Sequence, residues 1–248
     1  MKPIVLLFFL LILVTCQDNP NLKIAASSNM QFAVEDIILA FETKYDINAD
    51  LIIGSSGKLT AQIEAGAPFD IFLSADSFYP QDMLNKGLVS GPMKRYAYGH
   101  LVLWSCQKDL NPSLSVLTHP SVKKIAIPNP DLAPYGRAAI QVLNHYKILD
   151  SVKSKLVFSE SIAQCNQFIT SGAADIGFTA LSIVSAPKLD GIGQWFKIDP
   201  ELHAPIDQVM LVLKNSKQKA NAKLFYDYIY SEEGQNILKA YGYLGVRN

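Results

Sequence analysis

Between residues 22 and 240 the chain alternates short apolar runs with longer segments whose apolar positions recur at helical spacing. Residues 22–26, 49–53 and 70–73 are predicted as buried strands. Helices are predicted at residues 31–44, with Val34, Ile37, Ile38, Phe41 and Tyr45 on one face, at residues 58–64 with Leu59 and Ile63 inward, and beyond Asp76. The pattern resumes with strands at 101–104, 124–127, 155–158 and 175–178, helices at 135–146 and 162–170, and a short helix from Ala180. A strand at 206–213 and helices at 217–230 and 232–240 close it. Such alternation predicts an α/β fold of two units, each a mainly parallel sheet flanked by helices.

The 248 residues suffice for one large domain or two of ordinary size. An apolar content of 49% excludes a disordered chain, and 22 basic against 22 acidic residues, with no basic block, argues against a nucleic-acid binder. Three cysteines and four histidines occur without CxxC, HxxH or HExxH spacing, so no structural zinc site is expected. Cys106 and Cys165 are expected as two buried free thiols, with a disulfide between them in an oxidising compartment left open.

The start of the chain carries a different signal. Lys2 precedes the apolar run Ile4 to Val14, about eleven residues, too short for a membrane span and suited to an export signal. The run ends at Leu13-Val14-Thr15-Cys16, which is similar to the lipobox of bacterial lipoproteins and implies lipid attachment at Cys16, with simple cleavage nearby as the competing expectation. Residues 1–15 are thus expected to be a signal peptide and 16–21 a tether. Their removal takes away one cation, Lys2, and leaves 21 basic against 22 acidic residues.

Open α/β sheets bind ligands at the carboxyl ends of their strands, so the turns there are the candidate site. Four share a character: Ala26-Ser27-Ser28-Asn29, Gly54-Ser55-Ser56-Gly57, the stretch from Asn129 to Gly136, and Ser159-Glu160-Ser161-Ile162. Each is small or polar and opens a helix. Taken singly, such serines and asparagines are ordinary caps; four converging helix starts would cradle an anion with free N–H groups and no cation. The Gly54–Leu59 stretch departs from a P-loop at Ile52 and Leu59, and no GxSxG or GxGxxG is present. A nucleophilic serine served by His100 or His203 has no motif behind it. Asp70 and Asp76 flank a strand from opposite ends and are not expected to act as a pair, Asp76 being a helix cap, while Arg137 is not assigned to the site.

On these letters the chain resembles the periplasmic molybdate-binding proteins of ABC transporters, within the type II periplasmic binding protein fold. The markers are Ala25-Ala26-Ser27-Ser28-Asn29, the long block from Gly54 to Asp76, Leu101-Val102-Leu103-Trp104-Ser105, Asn129-Pro130 with Ala133-Pro134-Tyr135-Gly136, and Ser171 to Phe178. The resemblance implies a two-lobed receptor with the ligand in the interlobe cleft, held by Ser28 and Asn29, Ser56, and the backbone amides of Tyr135 and Ile162. A molybdenum centre would be reached by Ser28 and Ser56 only through its oxygens. Ala180 stands where some members of the family offer a tyrosine hydroxyl, which implies the subgroup in which Asn29 takes part.

The same resemblance implies lobe 1 from residues 21–100 and 206–248, lobe 2 from residues 101–205, and hinge crossings near residues 100–104 and 205–207. It further implies an exported monomer, in the periplasm or cell envelope, that captures molybdate or tungstate without a cofactor, is no enzyme, and delivers the anion to a membrane permease. The alternatives left open are a receptor for another tetrahedral oxyanion such as sulfate or thiosulfate, an extracytoplasmic serine hydrolase using Ser56, and a structural envelope lipoprotein without ligand.

Overall fold

A computed structural model describes residues 20–245 of the chain. The signal segment and Cys16 lie outside them. In the first half, strands β1 (Leu22–Ser27), β2 (Ala49–Gly54) and β3 (Ile71–Ser74) alternate with helices α1 (Gln31–Tyr45), α2 (Ser56–Glu64) and α3 (Phe78–Asn85). β4 (Lys94–Gly99) and β5 (Leu101–Ser105) follow, then β6 (Ile125–Pro128), α4 (Pro134–His145), α5 (Leu149–Val152), β7 (Leu156–Ser159), α6 (Ile162–Thr170), β8 (Ile176–Ala180), α7 (Leu181–Val184) and β9 (Gln194–Lys197). β10 (Ile206–Val212), α8 (Lys219–Ile229), α9 (Glu232–Ala240) and β11 (Leu244–Gly245) complete the order.

The strands form two sheets, ordered β11-β4-β10-β3-β1-β2 and β7-β6-β8-β5-β9. The expectation of mainly parallel sheets holds where βα units build them, at β2-β1-β3 and β7-β6-β8. It is corrected in the other halves, where β10, β4 and β11 pair antiparallel, as do β5, β8 and β9. The reason is connectivity. Residue His100 alone separates β4 from β5, and a segment without a long helix joins β9 to β10, so these strands enter their sheets without the helical crossover that makes neighbours parallel.

Side-chain alternation assigns the core. In the first sheet Ile24, Ala26, Ile71, Leu73 and Met210 face α1, α8 and α9, and Ala25, Phe72, Val209 and Leu211 face α2 and α3 through Leu59, Ile63 and Met83. Phe41 of α1 stacks on Phe225 and Tyr228 of α8, with ring centroids 5.1 and 5.6 Å away. The second sheet surrounds Trp104, Ile127 and Phe178 with residues of α4 and α6. No helix among the described residues is long and apolar enough to cross a membrane.

Both Cys106 and Cys165 are free, but only Cys165 is buried; Cys106, just past the end of β5, is half-buried, which corrects the expected pair of buried thiols. Burial pushes the Cys165 thiol up to about 12, and its Sγ donates to the Phe178 carbonyl at 3.2 Å. Iodoacetamide is therefore expected to label Cys106 and spare Cys165 in the folded protein, with both labelled in denaturant, as read by peptide mass spectrometry.

Candidate functional site

The four turns singled out in the sequence meet between the two sheets. β1 runs into a single 3-10 turn, Ser28–Met30, against which α6 and α7 of the other half pack. Ser56 begins α2, and its hydroxyl donates to Ser27 Oγ at 3.2 Å and accepts from the Ala75 amide at 3.0 Å. Across the cleft, the Gly57 amide donates to the Leu132 carbonyl at 2.9 Å, in the loop that leads into α4. The Asn129 amide, donating to the Ser159 carbonyl at 2.7 Å, ties that loop to the one before α6.

Two of the three helix starts are built alike. Ser55 and Ser161 cap α2 and α6 by accepting from the Lys58 and Gln164 amides, while α4 has Pro134 in its first turn and no side-chain cap. Helix geometry gives the amides of Ser56, Tyr135 and Ile162 no partner within their helices, and among the described residues no loop carbonyl or side chain supplies one. Ser28, Ser56, Tyr135 and Ile162 are all buried. Free N–H groups at converging positive helix ends, shielded from water, attract an anion without a formal charge.

Asn29 is placed differently from its neighbours. Its Nδ2 donates to Gln208 Oε1 and to Tyr243 Oη, each at 2.8 Å, so its side-chain donors are spent inside the protein. The Asn29 carbonyl accepts from Ser182 Oγ at 2.7 Å and from Tyr243 Oη at 3.0 Å, which ties α7 of the second half to the site turn of the first. Tyr135 Oη sits in the same buried region without a partner among the described residues, and burial raises its phenol well above the ordinary range. Sequence reasoning missed this network. The fully buried Gln208 within an apolar strand was its one signal; Tyr243, beyond the last helix, gave none.

Arg137 does not join the amides: it pairs across the cleft with Asp76 and donates to the Pro130 carbonyl at 3.1 Å, its guanidinium 5.3 Å from the Tyr79 ring centre. Asp76, expected as the cap of α3, lies one residue before the N-cap position, which Ser77 occupies, and its carboxylate accepts from the Tyr79 amide in the first turn at 3.3 Å. Asp70 is held apart from it by the Lys23 amide and Ser216. His100 is buried at the crossing between the sheets, and burial lowers its pKa; His203 Nδ1 contacts the Ala204 carbonyl at 2.7 Å. Neither histidine reaches the Ser56 hydroxyl, whose partners are Ser27 and Ala75. Among the described residues no cluster of three His, Cys, Asp or Glu side chains is arranged to hold a metal ion.

A cleft lined by donors between two α/β halves fits a receptor, and comparison with known proteins decides the kind. The family model described as bacterial extracellular solute-binding protein matches residues 22–244. The chain belongs to that family. This solute-binding protein is 36% identical over 226 residues to the molybdate-binding protein ModA of Azotobacter vinelandii, covering 90% of this chain and 89% of the relative. It is 33% identical over 221 residues to the molybdate-binding protein ModA of Rhodobacter capsulatus, covering 89% and 86%. The solved structure of the Azotobacter vinelandii periplasmic molybdate-binding protein superposes with a TM-score of 0.87 at 33% identity, covering 92% of this chain and all of that one. The solute-binding protein thus shares the two-lobed architecture of that structure.

Proposed function

We propose that this solute-binding protein captures molybdate or tungstate in its interlobe cleft and hands it to the permease of an ABC importer. What supports the reading is that Ser56, Tyr135 and Ile162 lie buried at three helix starts, with amides unpartnered among the described residues, on turns that hydrogen-bond to one another across the cleft beside the buried Ser28. The identity to the two molybdate-binding relatives supports it. With its side chain engaged by Gln208 and Tyr243, Asn29 contributes its backbone amide. Lobe 1 comprises residues 21–100 and 206–248 and lobe 2 residues 101–205, closing about the crossings beside His100 and Ile206; the protein acts as an exported monomer, and a lipid on Cys16 would tether it near the permease.

Such a site is selective through hydrogen-bond polarity and size. A fully ionised tetrahedral oxyanion offers only acceptors to a cage of donors, whereas phosphate near neutral pH carries a proton that faces protein donors and leaves one of them unmet. Sulfate is fully ionised but smaller, so its bonds to the same donors are stretched. No step of covalent chemistry is required, and the engagement of Ser56 with Ser27 and Ala75 supports a binder over a hydrolase. In a thermal-shift experiment, molybdate at about 100 times its dissociation constant is expected to add about 2.7 kcal/mol of stability, with a smaller response to sulfate and none to phosphate. Equal responses to all three anions, or none to molybdate, would remove the reading.

A further inference from the structure

We propose that two ion pairs across the cleft, Lys58 with Glu160 and Arg137 with Asp76, form a closure latch that sets how fast the bound oxyanion is released, an inference that rests on the functional reading above. Their placement singles them out. Lys58 lies two residues beyond the Ser56 amide, Arg137 two beyond the Tyr135 amide and Glu160 two before the Ile162 amide, while Asp76 follows Ala75, whose amide holds the Ser56 hydroxyl. Each pair therefore joins segments that carry the anion's donors, one from each half of the molecule.

The pairs run in opposite directions, the first half giving its cation in one and its carboxylate in the other. Lys58 and Glu160 wall an interlobe groove of about 320 Å³ and are half-exposed, so their attraction is screened and modest. Arg137 and Asp76 are more enclosed, with side-chain exposures of 34% and 14%. Burial lifts the Asp76 carboxyl above its ordinary value, and Arg137 pulls it back, so an Arg137 variant leaves a carboxylate in the closed cleft without its cation. Two neutral contacts seal the same rim: the Gly57 amide with Leu132, and Tyr79 Oη donating to the Asp131 carbonyl at 2.7 Å. With the lobes apart, Lys58 and Arg137 have no partner across the cleft and draw the incoming anion; closure hands both cations to carboxylates and leaves the anion to uncharged donors.

The test is stopped-flow binding of sodium molybdate to the full chain and to Lys58→Gln, Glu160→Gln, Arg137→Gln and Asp76→Asn. Dissociation is expected to accelerate about two- to threefold for the Lys58 and Glu160 variants and about tenfold for Arg137→Gln, more than for Asp76→Asn. Association is expected to slow, with a flatter salt dependence, in the two cation variants alone. Exchanging the charges, Lys58→Glu with Glu160→Lys, is expected to bring the dissociation rate back toward that of the natural protein. Tight molybdate binding with unchanged release in all four single variants, or no recovery on charge exchange, overturns the latch and leaves the functional reading intact. If the natural protein ignores molybdate, that reading fails and the latch is judged without ligand by carbodiimide coupling of Lys58 to Glu160, read by mass spectrometry. A yield several-fold lower in Arg137→Gln supports the latch, and an unchanged yield overturns it.

Discussion

Replacing Gly136 by alanine is expected to cost about a hundredfold in molybdate affinity, as a misplaced donor does, and to lower the melting temperature of the ligand-free protein as well. A Cβ on Gly136 would lie 2.0 Å from the Pro128 carbonyl oxygen, 2.8 Å from its carbon and 3.0 Å from the Asn129 carbon. All three are backbone atoms at the end of β6, so no rotamer change relieves the overlap. The start of α4 must move off the sheet, at roughly 3 kcal/mol, the upper part of the usual range for overpacking. The Tyr135 amide, one residue away, moves with it. Gly54→Ala makes the contrast, because its Cβ would meet no backbone atom but only the Leu59 side chain, at 3.1 and 3.2 Å from Cγ and Cδ2, where a shift of a few tenths of an ångström relieves the contact. Titration calorimetry and differential scanning calorimetry on the two variants should separate them; equal affinity and stability in both would show that the start of α4 has slack.

Ser56→Ala and Ser28→Ala are expected to differ in kind. The Ser56 hydroxyl accepts from the buried Ala75 amide, and its loss strands that donor at a cost of about 1–3 kcal/mol in the ligand-free protein. It also removes one donor to the anion, the O–H that points at Ser27 Oγ here and must turn to the ligand on binding, for an affinity loss of roughly ten- to a hundredfold, the scale of a hydrogen bond to a charged group. No protein partner of the Ser28 hydroxyl is present among the described residues, so Ser28→Ala should weaken binding with little change in the ligand-free melting temperature. Binding indifferent to the double variant would sink the assignment of both serines.

Much of the fold is legible in the sequence because most elements carry their own period. α1 buries Val34, Ile37, Ile38 and Phe41, as the spacing of its apolar residues requires. β4, β9 and β11 escape such reasoning. β4 begins Lys-Arg-Tyr, with its first two residues at least partly exposed, all four residues of β9 are exposed despite Trp195 and Phe196, and β11 is two residues long. None shows the buried apolar alternation that marks a strand from sequence alone. The site divides the same way. The turns that carry Ser28, Ser56, Tyr135 and Ile162 can be found because a polar turn opening a helix is a local pattern, whereas the choice of those residues within the turns rests on the family resemblance. The pairing of Asp76 with Arg137, 61 positions apart, and the engagement of Asn29 with Gln208 and Tyr243, 179 and 214 positions away, exist only once the two sheets are assembled.

The position of β10 has a consequence for the order in which the molecule is made. It lies between β3 and β4 in the first sheet, although more than a hundred residues separate it in sequence from β4. As the chain emerges from its amino terminus, β1, β2 and β3 can associate early, yet the free edge of β3 waits for a strand that appears after the entire second sheet. The second half is continuous in sequence and can condense meanwhile. A long-range pairing of this kind is slow to form and leaves an apolar edge open to the wrong partner. Release of a chain cut before Ile206 should therefore yield a folded second half attached to an unfinished, aggregation-prone first one.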